Sequence, residues 1–320
     1  MKSLLLIDGN NNAHKARHTF SLTSPEGIDV SVTFGFLNGL RYGLKRFKPE
    51  SCIIAWDGRI PKFRRDKIPS YKINRRANED ETYPDFIRQL QELEQLLSLT
   101  GTVNIRRHGM EADDILYQAA YLGQNKYDRI VIVSDDADLY QAVHLDNTLV
   151  YSSRKDKVID QSYVEKQSGV PIDQYVNWRA LQGDVSDNIT GVPGIGPVRA
   201  TKLFQKYGSL LEILEAANRG DIKGKMGERI REYEVETLLK NVYVMSLSQD
   251  KTGARKIIQE ETARFRPADI KTFKKSLFSL NFISIMDGSY FKDLKTLTKP
   301  DLLTQVRAPV VCDRRFPVEA

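Results

Sequence analysis

Short, almost uninterrupted apolar runs recur through the first half of the chain, at residues 4–7, 52–56, 129–133 and 148–151. A strand with one face in water alternates apolar and polar side chains, so runs without alternation suit parallel strands buried on both faces. Between them lie segments with helical spacing. The clearest spans residues 85–98, where Phe86, Ile87, Leu90, Leu93, Leu96 and Leu97 mark one stripe and Pro84 and Asp85 supply a start. Strands alternating with helices predict an α/β domain with a parallel central sheet and right-handed crossovers.

From about residue 170 the strand signal fades and helices with glycine-rich turns take over. The stretch from Gly191 to Pro197, followed by a helical segment at 198–207, reads as a hairpin joining two helices. Residues 228–247 and 267–286 also read as helices, with Pro267 and Asp269 opening the second. The last 30 residues are poorly patterned and read as a loosely held tail.

Composition narrows the class. A chain of 320 residues, 41% hydrophobic and 28% charged, suits a soluble globular protein, and no apolar run approaches the roughly 18–20 residues a bilayer span needs. The opening MKSLLLIDGNN carries a short apolar stretch that ends at Asp8 without a small-residue cleavage pattern, so it reads as a strand and not a signal peptide. Cys52 and Cys312 form no metal-ligand spacing and suit a reducing, cytoplasmic setting. The net charge of +6 points to a polyanionic partner.

Against that basic background stand nine carboxylates in five short clusters: Asp8, Asp57, Glu111/Asp113/Asp114, Asp136/Asp138 and Asp184/Asp187. Each cluster lies where a strand ends or a helix begins, and ligands of parallel sheets bind beyond the carboxyl ends of the strands. Any one cluster is explained by acids complementing a helix start, but five at sheet ends are not. The spacing of two between Asp136 and Asp138 turns both to one side of an extended segment. The spacing of three in Glu111/Asp114 and Asp184/Asp187 puts each pair on one helix face, with Asp113 aimed elsewhere. Like charges so close need cations among them. Oxygen-only ligation selects Mg2+ or Mn2+, while His14, His18, His108 and His144 show no zinc spacing. Two such ions ~4 Å apart can activate water and neutralise a leaving oxygen, so hydrolysis of a phosphodiester needs no side-chain nucleophile.

Two further segments suit a nucleic acid. Residues 59–78 hold eight Lys or Arg against one Asp, with Phe63 and Tyr71 interleaved, which suits steering and stacking of a single strand; by itself such a run also fits a solvated face. In the hairpin, Gly194 and Gly196 allow close approach of a phosphate to backbone amides, with Arg199 and Lys202 alongside. The hairpin fails as a nucleotide-cofactor loop, since no strand precedes it and neither a third glycine nor a P-loop lysine is in place.

The order LIDGNNNAHK, WDG, FRRDKIPSYKINR, GMEADDIL, SDDADLYQ and GDVSDNITGVPGIGPVRATKLFQKYGSL resembles the 5′-nuclease family across residues 3–285. That family comprises flap endonucleases and 5′-to-3′ exonucleases of bacteria and phages, including the nuclease domain of bacterial DNA polymerase I. The resemblance implies a PIN-like core at residues 1–175 with a helical arch at 59–84, a helix-three-turn-helix module within 176–290 that grips duplex DNA, and a tail at 291–320. It further implies that Asp8, Asp57, Glu111, Asp113, Asp114, Asp136, Asp138, Asp184 and Asp187 bind metal. Lys72 would touch the scissile phosphate and join Asp136, Asp138, Asp184 and Asp187 in catalysis. Tyr71 would stack on a base, and Lys15, Arg64, Arg65 and Arg75 would bind DNA. Family members also bind K+ through hairpin carbonyls, which places an ion at Thr190, Val192 and Ile195. Two positions depart from the family pattern: Asp135 precedes Asp136, leaving the ligand register open, and His14 with Lys15 replaces the commoner Tyr-Arg pair.

The expected activity is a metal-dependent, structure-selective 5′ nuclease acting on flaps, nicks or RNA primers at duplex junctions. Its expected partners are DNA or an RNA-DNA hybrid, with a polymerase or single-strand-binding protein, and it would work as a cytoplasmic monomer in a bacterial or phage-infected cell. The rival readings are a catalytically idle junction-binding protein and a PIN-type ribonuclease.

Overall fold

The computed structural model describes residues 1–74 and 83–302. The chain opens with strand β1 (Ser3–Asp8), helices α1 (Gly9–Thr19) and α2 (Ser31–Phe47), strand β2 (Ser51–Trp56) and helix α3 (Lys62–Lys67). Helix α4 (Tyr83–Leu97), β3 (Val103–Arg106), α5 (Ala112–Gly123) and β4 (Arg129–Val133) follow, then a 3-10 helix (Ala137–His144), β5 (Thr148–Ser152) and β6 (Lys157–Ile159). Next come α6 (Gln161–Ser168), α7 (Tyr175–Gln182), the two-residue strands β7 (Gly183–Asp184) and β8 (Ile189–Thr190), α8 (Pro197–Tyr207), α9 (Leu210–Asn218), α10 (Gly224–Glu232) and α11 (Val235–Met245). Helices α12 (Ala254–Ala263), α13 (Ile270–Ser279) and α14 (Gly288–Thr296) are the last.

Of the described residues, 1–60, 83–158 and 250–302 form one unit, and 61–74 with 159–249 form a second. The first unit is built on a six-stranded sheet ordered β3-β2-β1-β4-β5-β6. Strand β1 runs parallel to both β2 and β4, and the pairs β2–β3 and β4–β5 are parallel too. The apolar runs are therefore strands, and both faces of each are covered. Leu5, Ile7, Ile54, Trp56, Val131 and Val133 share one core with residues of α2, α4, α13 and α14. Leu4 and Leu6, equally buried, alternate to the opposite face, where α5 packs. The strand order reverses direction at β1, which leaves an opening beyond its carboxyl end.

The expected helix at 228–247 is two helices, α10 and α11, parted at Tyr233 and Glu234. The Tyr233 hydroxyl donates to the Thr190 carbonyl (2.7 Å), a tertiary bond that fixes the chain at the break. The expected helix at 267–286 stops at Ser279, because Asn281 takes up a left-handed φ of 59° and turns Phe282 into the core. Part of the stretch expected to be tail is ordered helix: α14 buries Tyr290, Phe291 and Leu294 in the first unit, and Arg41 pairs with Asp287 at its start (2.5 Å). No helix among the described residues is long and apolar enough to cross a membrane.

Candidate active site

In the first unit the carboxylates gather at the carboxyl ends of β1, β2 and β4. Asp8 is the last residue of β1 and the N-cap of α1: its Oδ1 accepts the Asn11 amide (3.0 Å) and its Oδ2 the Ser134 hydroxyl (2.7 Å). Helix α1 can begin so abruptly because Gly9 has no side chain; a Cβ there would stand 2.5 Å from the Trp56 ring. Three consecutive asparagines then tie neighbouring strand ends to this turn. Asn10 accepts the Asp57 amide (2.9 Å), Asn11 accepts the Asp135 amide (3.1 Å), and Asn12 donates to the carbonyls of Asp8 (2.7 Å) and Val133 (3.1 Å).

Asp57 follows β2 and accepts the Ala112 amide on Oδ1 (2.8 Å), which places it at the N-terminus of α5. Glu111 caps the same helix, and Glu111 and Asp114 close a capping box. The loops meet through Gly58, whose amide donates to Met110 (2.9 Å) and whose Cβ, if it had one, would lie 1.9 Å from the Arg107 carbonyl. The helix face expected for this pair is therefore corrected: Glu111 is the extended N-cap and Asp114 lies in the first turn it caps, both buried, with Asp113 beside them half-buried.

Beyond β4, the buried Ser134 hydroxyl donates to Asp8 and accepts the Asp136 amide (3.1 Å). Asp136 caps the 3-10 helix and its Oδ1 accepts the Asp138 amide (2.9 Å). The extended geometry expected for Asp136 and Asp138 is therefore corrected: the first is a cap and the second lies in the helix it caps. Asp135 turns to Ser152 and to the Arg154 amide (3.2 Å), a task distinct from that of Asp136. The Lys15 ammonium donates to Ser153 (2.7 Å).

The Asp8 carboxyl is pushed up to about 7, first by burial and next by the charge of Asp57, with Asp136 adding to the rise against the lowering bonds from Asn11 and Ser134. Asp8 is therefore close enough to feel the acids of both neighbouring strand ends, Asp57 and Asp136.

The second unit carries its own acids. Asp184 and Asp187 do not lie on a helix, because Gly183, at φ 78°, ends α7 and starts the β7–β8 turn. Asp184 Oδ1 accepts the amides of Ser186 (2.8 Å) and Asp187 (3.2 Å), the local bonding that draws Asp out of helices, and Oδ2 meets Arg179 (2.5 Å). Burial works to raise the Asp184 carboxyl, but the Ser186 hydroxyl, Arg179 and the two amides outweigh it and hold it below the usual range. Asp187 is bolted to the basic segment. Its carbonyl accepts the Lys72 amide (3.0 Å), its Oδ2 accepts the Tyr71 hydroxyl (3.1 Å), and the Lys72 ammonium lies 3.5 Å away. Both Tyr71 and Lys72 are buried, and Lys72 has a left-handed φ of 54°.

The other basic residues divide. Arg64 is buried, with Nε donating to the Val244 carbonyl (3.2 Å), so it serves packing inside the unit, while Arg65 is exposed. Arg199, exposed beside Lys202 on α8, donates to the Gly194 carbonyl (2.5 Å), and Arg229 donates to Pro193 (3.3 Å), so two guanidiniums brace the hairpin. Gly196 caps α8 with open space beside it. Among the carbonyls assigned to K+, that of Thr190 is committed to Tyr233 and the Asn241 amide (2.7 Å) and that of Val192 to the Ile195 amide (3.0 Å). Arg75 lies outside the described residues.

Residues 3–169 match the family model of the 5′-3′ exonuclease N-terminal resolvase-like domain, and residues 170–267 that of the 5′-3′ exonuclease C-terminal SAM fold. The chain belongs to the 5′-3′ exonuclease family. It is 37% identical over 243 residues to DNA polymerase I of Synechocystis, covering 71% of this chain and 24% of that protein. It is 30% identical over 309 residues to the thermostable DNA polymerase I of Thermus aquaticus, covering 96% of this chain and 34% of that protein. The chain thus spans a quarter to a third of the curated relatives it matches. Among solved structures, the bacteriophage T5 D15 flap endonuclease in complex with DNA and metal ions superposes with a TM-score of 0.67 at 21% identity, over 88% of this chain and all of that one. The fold class and the nuclease family expected from the motifs are both borne out.

As a member of this exonuclease family, the chain presents carboxylate, hydroxyl and amide oxygens at the three strand ends. Among the described residues, no three His, Cys, Asp or Glu side chains already enclose a space for a metal ion. The donors fit a hard divalent cation all the same, because a buried acid raised by two neighbouring carboxylates is relieved by positive charge. Ser134 and the three asparagines were missed in the sequence. The signal was there in polar residues placed directly after β1 and β4, where a strand end has amides and carboxylates to satisfy.

Proposed function

We propose that the chain is a divalent-metal-dependent, structure-selective 5′ nuclease that hydrolyses DNA phosphodiesters at junctions of single strand and duplex, removing flaps or primers. The observation that carries this reading is the convergence of Asp8, Asp57 and Asp136 at the point where the strand order reverses, with Glu111 and Asp114 at the helix start beside Asp57. Mg2+ or Mn2+ held by this set would supply charge neutralisation at the phosphate and an acidified water. The chain's own residues do the rest. Ser134 and Asn11 orient Asp8, the Ala112 amide orients Asp57, and Asp136 is fixed by the 3-10 helix it caps. On the sequence match, Asp138, Asp184, Asp187 and Asp113 are further ligands, and Lys72 touches the scissile phosphate.

DNA contact rests on Lys15, Arg65, Arg199, Lys202 and the amides at Gly194 and Gly196, which meet phosphates without reading bases. A polymerase partner and RNA primers belong to the same reading; a K+ ion at the hairpin would have to displace the Tyr233 and Asn241 bonds to the Thr190 carbonyl. The test is cleavage of labelled flap, nicked, blunt and RNA-primed duplexes with Mg2+ or Mn2+. Product that depends on metal and disappears in Asp136→Asn supports the nuclease. Tight junction binding with no product in either metal supports the idle binder instead.

A further inference from the structure

The first unit contains a cavity of about 590 Å3 between α1, α2 and the carboxyl ends of β1, β4 and β5, distinct from the carboxylates but sharing Asn12 and Lys15 with their edge. Its origin is the glycine spacing of α2. At Gly35 the two helices are pinched together, since a Cβ there would stand 2.5 Å from Phe20 and 2.7 Å from Ala16. One turn on, a Cβ at Gly39 would meet nothing within 4 Å, so the cleft is open there. Ile7, Val133, Phe20, Phe36 and Tyr151 give it apolar and aromatic walls.

The charges in the lining decide what it would hold. Arg41 is neutralised by Asp287, and Asp156 by Arg46 with a bond from Tyr151 (2.6 Å). Lys15 donates to the Ser153 hydroxyl (2.7 Å), which itself reaches Asp135 (3.5 Å), and exposed Lys45 forms no ion pair among the described residues. The lining cations without a direct ion pair are therefore the two ammoniums of an aromatic-walled cleft, a combination that suits an anion with a flat, largely apolar body. We propose that this cavity binds a nucleoside 5′-monophosphate, with the phosphate at Lys15 and Lys45 and the base in the cleft. The proposal rests on the nuclease reading for the source of its ligand, because such a molecule is what removal of one terminal nucleotide releases. Occupancy would take Lys15 from the DNA strand, so the cavity acts as a product-feedback site.

The test is calorimetric titration of the whole chain with deoxyadenosine monophosphate in chelator, with deoxyadenosine and inorganic phosphate as separate arms. With no metal present, the result is independent of whether the chain cleaves DNA. The monophosphate is expected to bind about tenfold or more tightly than either fragment. Gly39→Phe fills the open space and should abolish binding while leaving the initial cleavage rate and melting temperature unchanged. Lys45→Ala, at an exposed position that folding tolerates, should weaken binding severalfold, and Asp136→Asn should leave it intact. Monophosphate binding unchanged in both Gly39→Phe and Lys45→Ala, or lost in Asp136→Asn, or matched by inorganic phosphate alone, overturns the proposal.

Discussion

The Ser134 hydroxyl stands 2.7 Å from Asp8 Oδ2 while accepting the amide of Asp136, so one buried oxygen joins the acids of two adjacent strands. Removing it in Ser134→Ala is expected to cost about 1–3 kcal/mol of stability, the penalty for stranding a buried acceptor and a buried amide. The same change should lower the cleavage rate more than duplex affinity. Denaturant titration and single-turnover kinetics check both, and equal losses in rate and affinity would remove Ser134 from the positioning of Asp8.

Asp8 also gives the metal-free protein a pH signature. Below about pH 4 it is protonated whether folded or unfolded; above that the unfolded chain ionises while the folded chain keeps the proton up to about 7. Folding then takes up a proton, so this contribution to stability falls as pH rises through that window and levels off beyond it. Thermal melts in chelator should show the fall, and Asp8→Asn should flatten it. Mg2+ should raise the melting temperature more at pH 8 than at pH 6, since the cation competes with the proton.

At Gly58, even a methyl group is expected to be harmful. The Cβ of Gly58→Ala would fall 1.9 Å from the Arg107 carbonyl, so the loop that delivers Glu111 must move away from Asp57. A loss of more than roughly 2 kcal/mol is expected, in the range of strained backbone contacts. Chemical denaturation measures it, and a variant as stable as the parent would show that the two loops are not locked.

The basic segment makes a paired prediction. Arg64→Ala removes a buried guanidinium and should lower stability by roughly 1–3 kcal/mol, whereas Arg65→Ala should leave the melting temperature in place and reduce DNA affinity. The salt dependence of binding should become shallower for Arg65→Ala, by about one unit of slope on logarithmic axes for one lost phosphate contact. Filter binding across a salt series separates the two.

Lys72→Met removes the buried ammonium 3.5 Å from Asp187 and is expected to cost about 3–5 kcal/mol. The double variant Lys72→Met with Asp187→Leu should recover part of that loss. If the single and double variants are equally unstable, the pair does not contribute as a unit.

Much of this architecture is legible in the sequence where burial is uniform. Runs such as Leu4 to Ile7 announce themselves because both faces of β1 are covered, and the α4 stripe because one face is. Helix α1, with the polar sequence GNNNAHKARHT, has no stripe to find and exists because Asp8 caps it and Asn12 anchors it. The Asp184 turn escaped because spacing alone cannot tell a helix face from an aspartate bonding its own next amides. Arg64 and Arg65 are adjacent and alike in sequence, and only the tertiary fold separates packing from exposure.

The first unit is not finished until the polypeptide has passed through the second and come back, for Phe273, Phe282, Tyr290 and Leu294 complete a core begun by Leu5 and Ile7. A fragment ending near residue 158 would leave that core stripped of one wall and prone to aggregate. Protease nicks near 158 and 250 should instead yield pieces that stay associated without denaturant, and ribosomal synthesis must deliver α14 before β1 and its neighbours are fully secured.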